Sequence, residues 1–80
     1  MPTTDEIKRR IETALPDSTA EVEDWTGGGD HFRATVVSPT FAGLSRIQQH
    51  RQVYDVFGAE IGGAIHALSL TTRVPEQEQA

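Results

Sequence analysis

Eighty residues with a net charge of −5, from seven Lys and Arg against twelve Asp and Glu, describe one small acidic domain with a modest core. The absence of cysteine excludes disulfides and any thiolate nucleophile or thiolate metal ligand from this chain. No stretch approaches the roughly 20 apolar residues of a membrane span, and the first residues lack the apolar run of a secretory signal. We therefore expect a cytoplasmic protein with no membrane partner.

The first predicted element is an amphipathic helix. Thr3 precedes Glu6 by three residues, which is the spacing of a capping box. Pro16 ends the helix, because the residue before a proline avoids helical backbone angles. Apolar residues recur at i, i+4, i+7 and i+8 and define the buried face: Ile7, Ile11, Ala14 and Leu15.

Two strands follow as a predicted hairpin. Between Thr19 and Trp25, apolar residues alternate with Glu21 and Glu23, as on a strand with one buried face. Three glycines and Asp30 form the turn. The second strand is predicted from His31 to Ser38, antiparallel to the first.

The second helix is predicted from about Ser45 to Phe57. The Ser45 hydroxyl can cap its first turn, and Gly58 can take the left-handed conformation at its end. At most one further helical turn fits before Gly62 and Gly63. Four residues at i, i+3, i+7 and i+10 form the predicted apolar face, with Val53 beside them: Ile47, His50, Tyr54 and Phe57.

The last strand is predicted from Ala64 to Thr72, a short apolar run between a glycine pair and Pro75. Residues 73–80 have little to bury, so we expect a frayed tail. The chain is thus predicted to be a single domain, 1–80, with an ordered part over about 4–72.

The element order α-β-β-α-(α)-β predicts an α+β two-layer sandwich with helices on one face of a three-stranded mixed sheet. The last strand is reached through a helical crossover and should lie parallel to one of the first two. The residues predicted to form the core are Phe32, Val36, Phe41, Ile47, Tyr54, Phe57 and Leu68.

Three segments in this order and spacing resemble the signature of the BolA family: Phe41–Ser45, Gln49–Tyr54 and Ile65–Leu70. The residues Gly28–Phe32 are also similar to that family, and the resemblance covers about Thr4 to Thr72. It implies a fold similar to the type II KH domain.

His66, near the start of the last strand, is the leading candidate site residue. From its residue type alone, it is a packed strand histidine. The resemblance instead implies that it ligates a [2Fe–2S] cluster shared with a monothiol glutaredoxin. That partner and glutathione would supply the thiolates, so no cofactor is expected in the isolated chain.

Two further residues are candidates. His31 is either the first residue of a strand or a second metal ligand, since BolA relatives often carry a His or Cys ligand in this loop, several residues earlier than His31. Arg51 matches a family segment in which Gln49 replaces an arginine, and we expect it at the surface, where it could contact a partner. His50 on the apolar helix face is expected to be partly buried.

Two functional classes remain open. A non-enzymatic binding module is the leading interpretation, and it follows mainly from the resemblance to the BolA family. The sequence itself shows no acid/base pair, P-loop or nucleophile motif. The alternative is a nucleic-acid-binding transcriptional regulator that uses the KH-like fold and the helix-turn-helix-like region 45–65. The charge of −5 disfavours it, as does the lack of a convincing Gly-x-x-Gly loop between Gly58 and Gly63.

Overall fold

A computed structural model describes residues 3–25, 31–63, 65 and 67–75. The glycine turn predicted between the first two strands, residues 64 and 66, and the tail from 76 onward lie outside the described residues. Two helices, α1 (Thr4–Ala14) and α2 (Arg46–Phe57), accompany three strands, which are β1 (Thr19–Asp24), β2 (His31–Val37) and β3 (Ala67–Arg73). Short 3-10 turns lie at Pro39–Phe41 and Gly58–Glu60. No helix in the described ranges is long and apolar enough to cross a membrane.

The N-terminal helix is fixed by its cap and by one carboxylate. The Thr3 hydroxyl accepts a hydrogen bond from the Glu6 amide at 3.1 Å, as the sequence predicts. The Glu12 carboxylate accepts from Lys8 at 2.7 Å and from the Ala20 amide at 2.9 Å, which joins α1 to the start of β1. Ile7 and Ile11 are fully buried beneath the helix.

The sheet has the order β1-β2-β3, so β2 is central. β1 and β2 pair antiparallel, with Thr19 opposite Val37 and Asp24 opposite Phe32. β2 and β3 pair parallel, with His31 opposite Ala67. The mixed sheet and the α-helical crossover predicted from the sequence are confirmed.

Alternation along the strands separates a helix-covered face from an open face. On the covered face, Phe32, Ala34 and Val36 of β2 pack with the helices, and Phe41 inserts from the 3-10 turn with no exposed surface. The open face carries mainly polar side chains, including Glu21, Glu23, Arg33, Thr35, Ser69 and Thr71. The two layers are therefore those of an α+β sandwich.

The second helix begins and ends where the sequence predicts, but its buried face is rotated. Ser45 and Gln48 form a reciprocal capping box, and Gly58 ends the helix with φ of +56°. Val53 and Phe57 are buried, whereas Ile47 is 72% exposed. The prediction that Ile47 lies in the core is wrong, because at 3.6 residues per turn it lies roughly 120° around the helix from Val53.

The last strand extends further than predicted. β3 runs through Arg73, and Val74 packs into the core with 8% of its surface exposed. The prediction that the frayed tail begins at Arg73 is therefore wrong. The described ladder with β2 begins at Ala67, and Ile65 forms a separate bridge with Ile61.

Candidate metal and partner-binding site

The candidate site lies where β2 and β3 both begin. His31 is the first residue of β2, and its Cα partner on β3 is Ala67. Ala67 directly follows His66 in the sequence, and His66 itself lies outside the described residues. The parallel register thus places His31 beside Ala67, the sequence neighbour of the other candidate ligand, His66.

An aromatic and cationic cluster surrounds His31 on the open face. The imidazole meets the Trp25 ring edge-on, with centroids 6.5 Å apart and planes at 83°. The Arg33 guanidinium lies 5.0 Å from the centroid of the same indole ring. Arg33 also pairs with Glu23 at 3.4 Å. These contacts hold Trp25 in place although 51% of its surface is exposed.

Trp25 and Arg33 are site residues that the sequence motifs do not predict. The signal was present, because Trp25 continues the alternation of Glu21 and Glu23 and so lies on the open face. A tryptophan at a solvent-facing strand position indicates a candidate contact surface, because tryptophan is enriched at protein interfaces.

The structure does not bring His50 to this corner. Arg51 is exposed on α2, as predicted, and His50 is half-buried. His50 lines a groove with Arg46 and with Leu70, Thr71 and Thr72 near the end of β3. Thr72 is five strand residues beyond Ala67, which corresponds to about 17 Å.

The donor chemistry of the described residues is limited. No group of three or more His, Asp or Glu side chains that could hold a metal ion occurs within the described ranges. The chain contains no cysteine and three histidines. Iron–sulfur clusters are bound mainly by thiolates, with histidine replacing cysteine in some [2Fe–2S] centres. An iron–sulfur cluster at this corner would therefore need ligands from outside the chain.

This architecture, with two helices on one face of a β1-β2-β3 mixed sheet, defines a class of small α+β domain. The chain belongs to the BolA-like protein family, because the family's sequence model matches residues 6–77. The resemblance of the three sequence segments is confirmed over nearly the whole domain.

Individual relatives agree with this assignment. The chain is 38% identical over 78 residues to human BolA-like protein 1, covering 89% of this chain and 57% of that protein. It is 33% identical over 54 residues to a DNA-binding transcriptional regulator BolA from Haemophilus influenzae, covering 68% of this chain and 52% of that protein. The chain thus spans little more than half the length of these relatives.

Among solved structures, a bolA protein homologue from Coxiella burnetii superposes with a TM-score of 0.84. Its sequence is 42% identical, and the match covers 100% of both chains. The fold described above is therefore that of a BolA domain.

Proposed function

We propose that this chain is a non-enzymatic binding module that pairs with a monothiol glutaredoxin. In this proposal it helps to ligate a shared [2Fe–2S] cluster through His66, with His31 as second ligand, in iron–sulfur trafficking or iron regulation. The observation that supports it most is the match of the BolA-like family model to residues 6–77, which include both histidines. The parallel register adds that the backbone of His31 lies beside Ala67, the residue after His66.

The ligand balance requires a partner. A [2Fe–2S] cluster takes four protein or small-molecule ligands, and histidine on one iron with thiolates on the other is established chemistry. Clusters of this kind are bound by cysteine thiolates or histidine imidazoles, and this cysteine-free chain can offer only the imidazoles. The glutaredoxin cysteine and glutathione would supply the thiolates, so the cluster would be stable only across the two proteins.

The surface near His31 is suited to a protein contact. Trp25 is half exposed yet held between His31 and Arg33, so little side-chain freedom remains to be lost on binding. Tryptophan and arginine are the residues that most often dominate binding energy at protein interfaces. Arg51 is exposed on α2, so its contribution to partner binding would come from the surface of that helix.

The test is anaerobic transfer of a cluster from a glutathione-bound monothiol glutaredoxin. Wild-type chain should form a one-to-one heterodimer with altered visible circular dichroism, whereas the chain reconstituted alone should stay colourless. His66→Ala should abolish the spectral change while leaving the apo fold in place. His50→Ala removes an imidazole from the opposite end of β3 and serves as the matched control.

Two results would reject the proposal. A wild-type holo spectrum from His66→Ala would show that His66 is not a ligand. Failure of the wild-type chain to bind any monothiol glutaredoxin would show that the partner is of another class.

The second candidate function is a nucleic-acid-binding transcriptional regulator. It is favoured by the relative from Haemophilus influenzae, which is named a DNA-binding transcriptional regulator. The negative net charge opposes it. Titration with labelled DNA at physiological salt separates the two functions, because a regulator should bind far more tightly than the non-specific range.

A further inference from the structure

Within the part of the chain that the structure describes, no strand pairs with the outer side of β3, which forms a sheet edge. β3 pairs with β2 on one side and is the last strand of the sheet. The backbone groups of successive strand residues point alternately to the two sides. The Ser38 amide, just after β2, donates to the Arg73 carbonyl at 3.0 Å, so the backbone N–H and C=O groups of Arg73 point towards β2. The backbone N–H and C=O groups of residues 68, 70 and 72 therefore point outward, away from β2.

Tyr54 occupies the beginning of this edge. Its hydroxyl donates to the Leu68 carbonyl at 2.8 Å, which agrees with the backbone carbonyl of Leu68 pointing outward. The edge beyond that point is formed by Leu70 and Thr72. The Thr72 hydroxyl donates to the Gln49 side chain at 2.6 Å, which holds the strand against α2 without using the outward backbone groups.

A groove runs beside this part of the edge. It has a volume of about 330 Å³ and lies between α2 and β3. Its lining contains no carboxylate, although the whole chain carries a net charge of −5. The residues that line it are Arg46, His50, Leu70, Thr71 and Thr72. A locally cationic groove on an acidic domain selects for an occupant of negative charge.

We propose that the β3 edge at Leu70 and Thr72 binds an extended acidic segment of a partner protein, which adds a short strand to the sheet and places carboxylates beside Arg46. Strand addition supplies main-chain hydrogen bonds, and the adjoining groove supplies selectivity through side chains. Because the Tyr54 hydroxyl already bonds to the Leu68 carbonyl, only a short part of β3 can pair with the partner strand, and the complex should be transient.

The charges argue against a second copy of this chain as the occupant. Pairing two β3 edges about a two-fold axis would bring two Arg46-lined grooves together between two chains of net charge −5. A peptide backbone fits better than a nucleic acid, because its N–H and C=O groups alternate with the period of the strand edge. The site is independent of the cluster ligands proposed above.

The experiment uses a fluorescent twelve-residue peptide of alternating glutamate and valine. Fluorescence polarisation should show saturable binding, and the same peptide with lysine for glutamate should bind at least about tenfold more weakly, which corresponds to about 1.4 kcal/mol. A version with alternate backbone nitrogens methylated should lose binding, because it cannot donate hydrogen bonds to the edge.

The protein variants are matched in charge. Arg46→Glu should weaken binding about tenfold, since it reverses a charge at the groove. The fold should be retained, because an acidic residue in the first turn of α2 suits the helix dipole. Arg9→Glu makes the same change on an exposed position of α1 and should leave binding unchanged.

Hydrogen exchange locates the site. On binding, the Leu70 and Thr72 amides should exchange more slowly, whereas the Arg46→Glu variant should show no such protection. Protection confined to other strands would overturn the proposal, as would equal effects of the two charge reversals. Dimerisation through the same amides, or tighter Arg46-dependent binding of single-stranded DNA than of the peptide, would assign the edge to another occupant.

These outcomes are separable from those of the cluster experiment. His66→Ala should keep full affinity for the acidic peptide. Arg46→Glu should keep the holo spectrum with glutaredoxin. Loss of both properties in one variant would mean that a single surface serves both and would overturn the independence of the β3 edge.

Discussion

Arg10 of α1 and Glu60, in the turn after α2, form a two-pronged ion pair. Arg10 Nη1 donates to Glu60 Oε1 at 2.9 Å, and Nη2 donates to the second carboxylate oxygen and to the Val56 carbonyl. The guanidinium also lies 4.8 Å from the centre of the Phe57 ring. One side chain thereby joins the first helix to the end of the second, and protonation of Glu60 would weaken this link.

The first prediction concerns pH. Hydrogen bonds from Arg10 hold the pKa of Glu60 below its ordinary value of 4.5. Hydrogen bonds from Lys8 and then from the Ala20 amide lower the pKa of Glu12 in the same way. As pH falls, the unfolded chain therefore binds protons before the folded chain does. The stabilisation is complete above about pH 4.5 and is lost as pH falls through the lower folded pKa values.

Urea denaturation at pH 7, 4.5 and 3 measures this effect. The free energy of unfolding should fall on acidification, and Glu60→Gln should show a smaller fall than the wild-type chain because one linked proton is removed. Glu21→Gln removes an equal charge from the open face and is the control. If Glu60→Gln and Glu21→Gln change the acid dependence equally, the ion pair with Arg10 is not its cause.

The second prediction compares two apolar residues of α2. Phe57 is 3% exposed and Ile47 is 72% exposed. Phe57→Ala should lower the free energy of unfolding by about 3–5 kcal/mol, because it leaves a cavity in the core. Ile47→Ala should change it by no more than about 0.5 kcal/mol. Chemical denaturation measures both values. A larger loss of unfolding free energy for Ile47→Ala would show that Ile47 packs in the core.

Much of the fold is predictable because its boundaries depend on local signals. Ser45, Gly58 and Pro16 cap or stop helices through interactions within a few residues. Ser45 begins α2, Gly58 ends it and Pro16 follows the end of α1, each where predicted. The strand alternation likewise identifies the buried side of β2. These features need no knowledge of distant parts of the chain.

The rotation of α2 was not predictable, because the helix has few strong apolar residues and a polar one faces inward. The Gln49 amide donates to the Leu44 carbonyl at 3.0 Å, and its oxygen accepts from Thr72 at 2.6 Å. Partners that are remote in sequence therefore satisfy a side chain that looks solvent-facing. The pairing of His31 with Ala67 is also set by long-range packing, since a parallel crossover leaves the register open in the local sequence.

The third prediction concerns nucleic acid. Among the described residues, Lys8, Arg10 and Arg33 lie against carboxylates, which reduces the positive charge available to a phosphate backbone. With a net charge of −5, affinity should be no tighter than the non-specific range of about 10⁻⁴ to 10⁻⁶ M at physiological salt. Titration of labelled single- and double-stranded DNA tests this. Nanomolar, sequence-selective binding in that salt would favour the regulator function over the cluster-binding one.

The last prediction separates two roles of His31. As a ligand it would donate an imidazole nitrogen to the shared cluster, and as a structural residue it would pack edge-on against Trp25. His31→Phe keeps the aromatic contact and removes the donor, whereas His31→Cys keeps a metal donor and removes the aromatic contact. We expect both variants to fold, because His31 is the first residue of β2 and is only half-buried.

If His31 is a ligand, the holo complex of His31→Phe with glutaredoxin should lose its cluster faster than the wild-type complex. His31→Cys should retain the cluster with a shifted visible spectrum and a lower reduction potential, because thiolate donates more charge to iron than imidazole does. The lifetime is read from the decay of visible absorbance under air. A wild-type lifetime for His31→Phe together with a short one for His31→Cys would assign His31 to packing against Trp25, and would leave His66 as the ligand from this chain.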